Sequence, residues 1–184
     1  MKKLFILALV IGFVVTVSMG PALAGWDAAQ VKQETKAAEE TMAKFKEKDP
    51  AMQKRFFDEA YAYAVFPKIG KGGLILGGSQ GTGMVYERKR IVGRATVGSA
   101  TVGLQAGGQV FSQIIFFQDK AALENMKSNQ MKFAANASAV AVKAGASTAV
   151  DYEGGVAVFT MGEGGLMLEA SIGGQSFKFE PKPK

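Results

Sequence analysis

Six cationic side chains, Lys68, Lys71, Arg88, Lys89, Arg90 and Arg94, fall in a stretch that holds a single acid, Glu87. The chemistry open to such a group is electrostatic capture of an anion, phosphate above all. Elsewhere the charges nearly cancel: residues 25–67 sum to −1 and residues 95–184 to zero, so the positive excess of the body of the chain sits in this one window. If 79–82 is the turn of an antiparallel hairpin, Lys71 stands opposite Arg90 and Lys68 comes close to Arg94, and the six cations converge at one end of a sheet. Like charges set opposite each other repel. A fold gains nothing from that, whereas an anionic partner would relieve it. The competing reading is a solvated loop tip and a charged strand edge that discourages aggregation.

Other chemistries are excluded or weakly supported. The 184 residues include no Cys and no His, which rules out disulfides, thiolate zinc sites, Cys-His or Ser-His-Asp catalysis and a histidine pH switch. The carboxylate pairs Asp151 with Glu153 and Glu163 with Glu169 lie beside Gly-Gly turns, where acids are ordinarily solvated turn residues. No catalytic residue, metal ligand or cofactor is assigned. The run from Gly70 to Gly83 invites a phosphate-loop reading but fails it. Lys71 precedes Gly72-Gly73 and an apolar strand where a Walker loop needs Gly-Lys-Ser/Thr opening a helix, and Ile75 stands where the dinucleotide spacing needs glycine. Glycines that serve twisted strands and tight turns account for it.

The elements that must position the cations follow from the glycine distribution. No glycine lies between Trp26 and Ile69, and 20 of the 23 lie between Gly70 and Gly174. Residues 27–48 begin at a capping Asp27 and place Val31, Thr35, Ala38, Met42 and Phe45 on one face, predicting a helix. Asp49-Pro50 restarts a second helix, expected to run to about Ala64, with Met52, Phe56, Tyr61 and Val65 supplying its buried side before Pro67 ends it. Strands are expected near 70–78, 83–87, 91–105, 108–117, 154–160 and 165–180, with a short helix at 119–127 capped by Asp119. Segment 129–150 is ambiguous between helix and strand. The expected fold class is α+β: N-terminal helices over 27–65, then a Gly-rich, mainly antiparallel sheet over 69–180 with a short inserted helix.

The first 24 residues read as a secretory leader. Lys2-Lys3 precedes a largely apolar run from Leu4 to Met19, then Gly20-Pro21 and Ala22-Leu23-Ala24. The run is shorter than the roughly 20 residues of a membrane span, and its flanks fit cleavage before Gly25. Residues 25–184 then form a single domain, periplasmic or secreted, and without a Cys it is not a lipoprotein. For an exported chain nucleic acid is not expected as partner, and no aromatic stacking platform is evident. An anionic lipid surface fits better, since each basic residue near such a surface contributes about 1 kcal/mol. The first helix is not a membrane anchor by composition, because Lys32, Lys36, Lys44 and Lys48 share its polar face with Glu34, Glu39, Glu40 and Glu47. Trp26 reads as a packing residue or an interfacial anchor.

The run Ala64-Val65-Phe66-Pro67-Lys68-Ile69-Gly70-Lys71-Gly72-Gly73, with Gly77-Gly78, Gly81-Thr82-Gly83 and Val85-Tyr86 after it, resembles the opening of the SYLF domain. Ala100 to Gln109 is similar to that family's Gly-Leu-Gln-x-Gly-x-Gln segment, Ile114 to Met126 to its apolar strand and short helix, and Gly164-Gly165-Leu166-Met167 to its final aliphatic strand. The resemblance spans roughly residues 30 to 181. It implies a lipid-binding module: eukaryotic members bind phosphoinositides and some bundle actin, and many bacterial members are exported envelope proteins. Ala134-Ala135-Asn136-Ala137-Ser138 departs from the family's Gly-Ala-Asp-Ala-Ser and lacks its acid. Actin is not expected as a partner of an exported bacterial protein. The sequence thus points to a non-catalytic binder of anionic phospholipid headgroups through Lys68, Lys71, Arg88, Lys89, Arg90 and Arg94. An envelope protein-interaction or structural module is the alternative, and a carboxylate-dependent hydrolase the third reading.

Overall fold

The structure is a computed structural model and describes residues 26–72, 76–102, 109–129, 139–162 and 175–183. The leader, the Gly164-Gly165-Leu166-Met167 segment and the carboxylates Glu163 and Glu169 lie outside the described residues.

Helix α1 spans Ala28–Lys48. The Asp27 carboxylate accepts from the Ala29 N–H at 3.1 Å, satisfying one of the amide donors that a helix start leaves free. Its buried side is Ala38, Thr41 and Phe45, and Asp49 closes it by donating its N–H to the Phe45 carbonyl. The chain then winds through a π-helical turn, Gln53–Phe57, sealed by the Asp58 N–H on the Gln53 carbonyl. That turn buries two consecutive aromatics. Phe56 packs on Phe116, Phe159 and Tyr152, and Phe57 on Tyr63 and Phe116, at ring separations of 4.9–5.5 Å.

Seven strands form one sheet: β1 Ala62–Gly72, β2 Leu76–Glu87, β3 Arg90–Val102, β4 Gln109–Phe117, β5 Val140–Ala141, β6 Val156–Gly162 and β7 Gln175–Pro181, in the order β5-β6-β4-β1-β2-β3-β7. Every pairing is antiparallel except β5 with β6. A second helix, α2 over Lys120–Lys127, follows β4 and starts at Asp119, whose carboxylate accepts from the Ala122 N–H at 2.9 Å. The molecule is α+β, with helix first and a mostly antiparallel sheet after it.

Helices cover both faces of β1. Tyr63 and Val65 face α1 and the π-turn, while Ala62, Ala64 and Phe66 face the side that carries α2. A strand buried on both faces reads as a continuous apolar run. That is why the expected second helix does not reach Ala64: it stops at Phe57, and Ala62 to Phe66 enter the centre of the sheet. The expected turn at 79–82 is likewise overturned, because those residues lie inside β2.

One irregularity organises β1. Val65 pairs with Met84 but Lys68 with Thr82, and Phe66 pairs with Gln113 but Ile69 with Phe111, so β1 carries one extra residue against both neighbours at Pro67. Proline has no N–H for the ladder and survives inside a sheet at such a bulge. The Pro67 carbonyl is taken by the Ser112 hydroxyl at 2.8 Å. On β2, a Cβ at Gly81 would lie 2.6 Å from the Lys68 carbonyl oxygen, so glycine is needed for the strands to close beside the bulge.

Candidate anion-binding surface

The β2–β3 hairpin turns on two residues, Arg88 and Lys89, between the paired Glu87 and Arg90. Both central residues are left-handed, with φ of 48° and 66°. A two-residue turn of this kind favours Asn-Gly, and a side chain held there costs on the order of 1 kcal/mol. The fold therefore holds two long cations where local preference asks for none. Arg88, Lys89 and Arg90 are all exposed.

The tip is seated on neighbouring elements. The Arg88 N–H donates to the Tyr61 carbonyl at 3.0 Å, and its guanidinium lies 5.4 Å from the Tyr61 ring centre. Lys89 donates to the Asp58 carboxylate at 2.9 Å. Arg90 forms no ion pair among the described residues. The Tyr61 hydroxyl donates to the Glu87 carboxylate, with Lys127 3.7 Å from the other Glu87 oxygen and 2.9 Å from Glu124. The Lys89 hydrogen bond is the largest influence holding the Asp58 carboxyl below its usual range. Glu87 is held low first by the Tyr61 hydroxyl and then, against a burial cost, by Lys127, Lys120 and Arg88. The same bond, together with burial and the Glu87 charge, raises the Tyr61 phenol.

The other three sequence-derived cations do not join this group. Lys71 pairs with Ser79 and not with Arg90, so the expected register is overturned. Lys68 pairs with Thr82, five residues before Glu87, about 17 Å from the tip at the usual strand rise. Arg94 is 5% exposed. Its Nε donates to Glu34 at 2.8 Å, Nη2 lies 2.8 Å from the same oxygen but outside hydrogen-bonding geometry, and Nη1 lies 3.9 Å from Glu180. Trp26 covers the guanidinium at 5.3 Å. A charge so enclosed ties α1, β3 and β7 together and is removed from any surface role.

Cations from other elements take their place. Lys46 from α1 acts on Asp58, and Lys120 and Lys127 from α2 act on Glu87. The Lys182 N–H binds the Val92 carbonyl, bringing the tail beside β3. No sequence signal marked these residues, since three separate elements supply them. Among the carboxylate candidates, Asp151 is paired with Arg55 at 2.7 Å, and Glu153 is an exposed residue whose backbone bonds that of Val156 across a tight turn. Among the described residues no group of His, Cys, Asp or Glu is arranged to hold a metal, and no helix is long and apolar enough to cross a membrane.

The architecture is that of an α+β domain with a helix-covered, mostly antiparallel sheet and a basic hairpin at one end. Residues 98–182 match the family described as "Ysc84: Las17-binding protein actin regulator", in agreement with the SYLF resemblance of the sequence. It is also 35% identical over 127 residues to "Beta cell expansion factor A" of Aeromonas veronii, an alignment that covers 67% of this chain and 48% of the relative. The chain thus spans about half the length of that protein.

Proposed function

We propose that this protein is a non-catalytic lipid-binding protein that docks the Arg88-Lys89-Arg90 hairpin end on anionic phospholipid headgroups. We further propose that it acts outside the cytoplasm, periplasmic or secreted, after removal of residues 1–24. The observation that carries the first reading is the pair of left-handed cations at the tip. Strained backbone persists where the surroundings enforce it, and such positions cluster at functional sites. Here Tyr61, Asp58 and Glu87 do the enforcing. With about 1 kcal/mol for each basic residue near an anionic surface, three exposed cations give roughly a hundredfold preference over a neutral surface. Lys46 and Lys120 extend the field behind the tip, and Lys68 and Lys71 stand farther along the sheet.

The test is sedimentation of the purified protein with neutral vesicles and with vesicles containing anionic lipid, at low and high salt. Binding that requires anionic lipid and falls steeply with salt is expected. Reversing the charge of Arg88, Lys89 and Arg90 together is expected to abolish it while leaving the circular dichroism spectrum unchanged. Unchanged binding in that variant would remove the assignment. The description of the matching family names a protein partner, Las17, and this favours a protein-interaction module as the second reading. Stoichiometric capture of one envelope protein with no vesicle binding would establish it.

A further inference from the structure

The bulge at Pro67 decides where Lys68 points. Up to Phe66 the even-numbered residues of β1 face the α2 side, with Ala62, Ala64 and Phe66 in that core; beyond the bulge Ile69 takes the same side. One extra residue has exchanged the two faces. Lys68 is thereby turned to the α1 face, where regular alternation from Phe66 would have put it on the other. There it meets a groove of about 320 Å³ between the start of α1 and strands β1 and β2.

The groove has a definite chemistry. Ala37, Pro67 and Met84 form its apolar floor, and Gln33 of α1, Lys68 of β1 and Thr82 of β2 line it from three elements. All three are exposed, and none has a side-chain hydrogen bond or ion pair among the described residues. Gln30 and Glu34 also line it, but Glu34 is already committed. One of its oxygens accepts from Gln30 at 3.0 Å and the other from the enclosed Arg94. The uncompensated charge in the groove is therefore that of Lys68. It is flanked by uncharged groups, the Gln33 amide and the Thr82 hydroxyl, able to bond phosphate oxygens or hydroxyls.

We infer that this groove is a slot for one phosphate ester of a small polyol, with Lys68 on the phosphate and Gln33 and Thr82 on the ester or hydroxyl oxygens. Its volume is at the lower end of the range for ligand sites, which suits a headgroup and leaves no room for an acyl chain. The inference rests on the lipid-binding reading and deepens it: the hairpin supplies attraction to any anionic surface, and the slot supplies selection of one headgroup. The same chemistry would accept a soluble phosphate ester.

The experiment uses the purified protein in two arms. In the first, glycerol 3-phosphate is titrated and followed by amide chemical shifts; in the second, vesicles containing phosphatidylglycerol are sedimented. Each arm is run on the natural protein, on Lys68→Gln, on Thr82→Val and on the hairpin triple reversal. Loss of a charge-assisted hydrogen bond predicts about tenfold weaker binding for Lys68→Gln, with a smaller loss for Thr82→Val. Shifts confined to the start of α1 and the Pro67 bulge, lost in Lys68→Gln, would support the slot with soluble esters as ligands. A tenfold loss in the vesicle arm alone would support it with the lipid headgroup as ligand. Vesicle binding abolished by the hairpin reversal but unaltered in Lys68→Gln, with no response to glycerol 3-phosphate, would overturn the slot and leave the surface reading standing. A natural protein inert in both arms would overturn both.

Discussion

The side-chain amides of Gln113 and Gln175 bond each other reciprocally, at 3.1 and 3.2 Å, although their strands β4 and β7 stand four places apart in the sheet. A flat sheet would separate them by about 19 Å at the usual strand spacing. The sheet must therefore curl strongly about the face that carries α2, as the 6.2 Å separation of the Phe66 and Phe177 rings also requires. Gln113 is fully buried. Replacing either glutamine by leucine should lower stability by about 1–3 kcal/mol, because the remaining amide loses its partner in the core, while the double Gln113→Leu/Gln175→Leu variant should lose less than the sum. Urea unfolding of the four proteins gives the coupling energy directly, and simple additivity would mean that the pair is not coupled.

What was legible in the sequence was local. Asp27 and Asp119 announce α1 and α2 because a capping carboxylate acts within three residues of itself. The start of β1 was not legible, since Ala62 to Phe66 follow a helical segment with no glycine or proline between them. Only pairing with β2 and β4, some twenty and fifty residues later, settles them as strand. The glycines from Gly77 to Gly83 read as a turn because glycine favours turns, but Gly81 is there so that β2 can close on the Pro67 bulge. The true turn holds Arg88 and Lys89, two residues that no turn rule selects. Hence the basic window was visible and its geometry was not. Arg94 looked like its neighbours until Glu34 and Glu180 arrived from α1 and β7 to enclose it.

Asp49 joins two distant parts of the chain. It is fully buried, and its carboxylate accepts from the Ala51, Gly145 and Ser147 amides at 3.3, 3.3 and 2.7 Å, fixing the end of α1 to the short 3₁₀ turn Ala146–Ala149. Asp49→Ala strands these donors away from water and should cost on the order of 3 kcal/mol. Asp49→Asn, which keeps one acceptor oxygen, should cost less. Chemical denaturation reads both, and equal stability of Asp49→Ala and the natural protein would contradict the role.

Arg94 and Arg90 are four residues apart and should behave oppositely. Arg94→Gln leaves Glu34 and Glu180 without their enclosed counter-charge and should lower stability by roughly 2–4 kcal/mol. Arg90→Gln, on an exposed side chain, should change it by less than about 0.5 kcal/mol while weakening vesicle binding. The two thermal midpoints and the two binding curves test this together. A stable Arg94→Gln variant would return that residue to the candidate surface.

The hairpin tip should show stability and binding pulling apart. Arg88→Asn with Lys89→Gly places the residues a two-residue turn prefers at φ 48° and 66°. The relief of left-handed strain, on the order of 1 kcal/mol per residue, should outweigh the exposed Lys89–Asp58 pair that is lost. The variant is expected to melt higher and to bind anionic vesicles more weakly. A variant that melted lower would mean that the contacts with Tyr61 and Asp58 outweigh the strain.

The Tyr61–Glu87 hydrogen bond sets the pH range over which the base of the hairpin is held. The bond lowers the Glu87 carboxyl below its ordinary 4.5 and raises the Tyr61 phenol above its ordinary 10.0. A depressed carboxyl stabilises the fold at pH values above its unfolded pKa, and that contribution is lost as the pH falls through the lower folded value. A raised phenol stabilises below its unfolded pKa, and its contribution is lost as the pH climbs through the higher folded value. The bond should therefore hold unchanged from about pH 5 to about pH 9 and weaken outside that window. Tyr61→Phe removes the donor at the root of both shifts, so the Glu87 carboxyl carbon, followed by NMR, should titrate at higher pH than in the natural protein. An identical Glu87 titration in Tyr61→Phe would mean that Lys127, Lys120 and Arg88 alone hold the carboxylate charged.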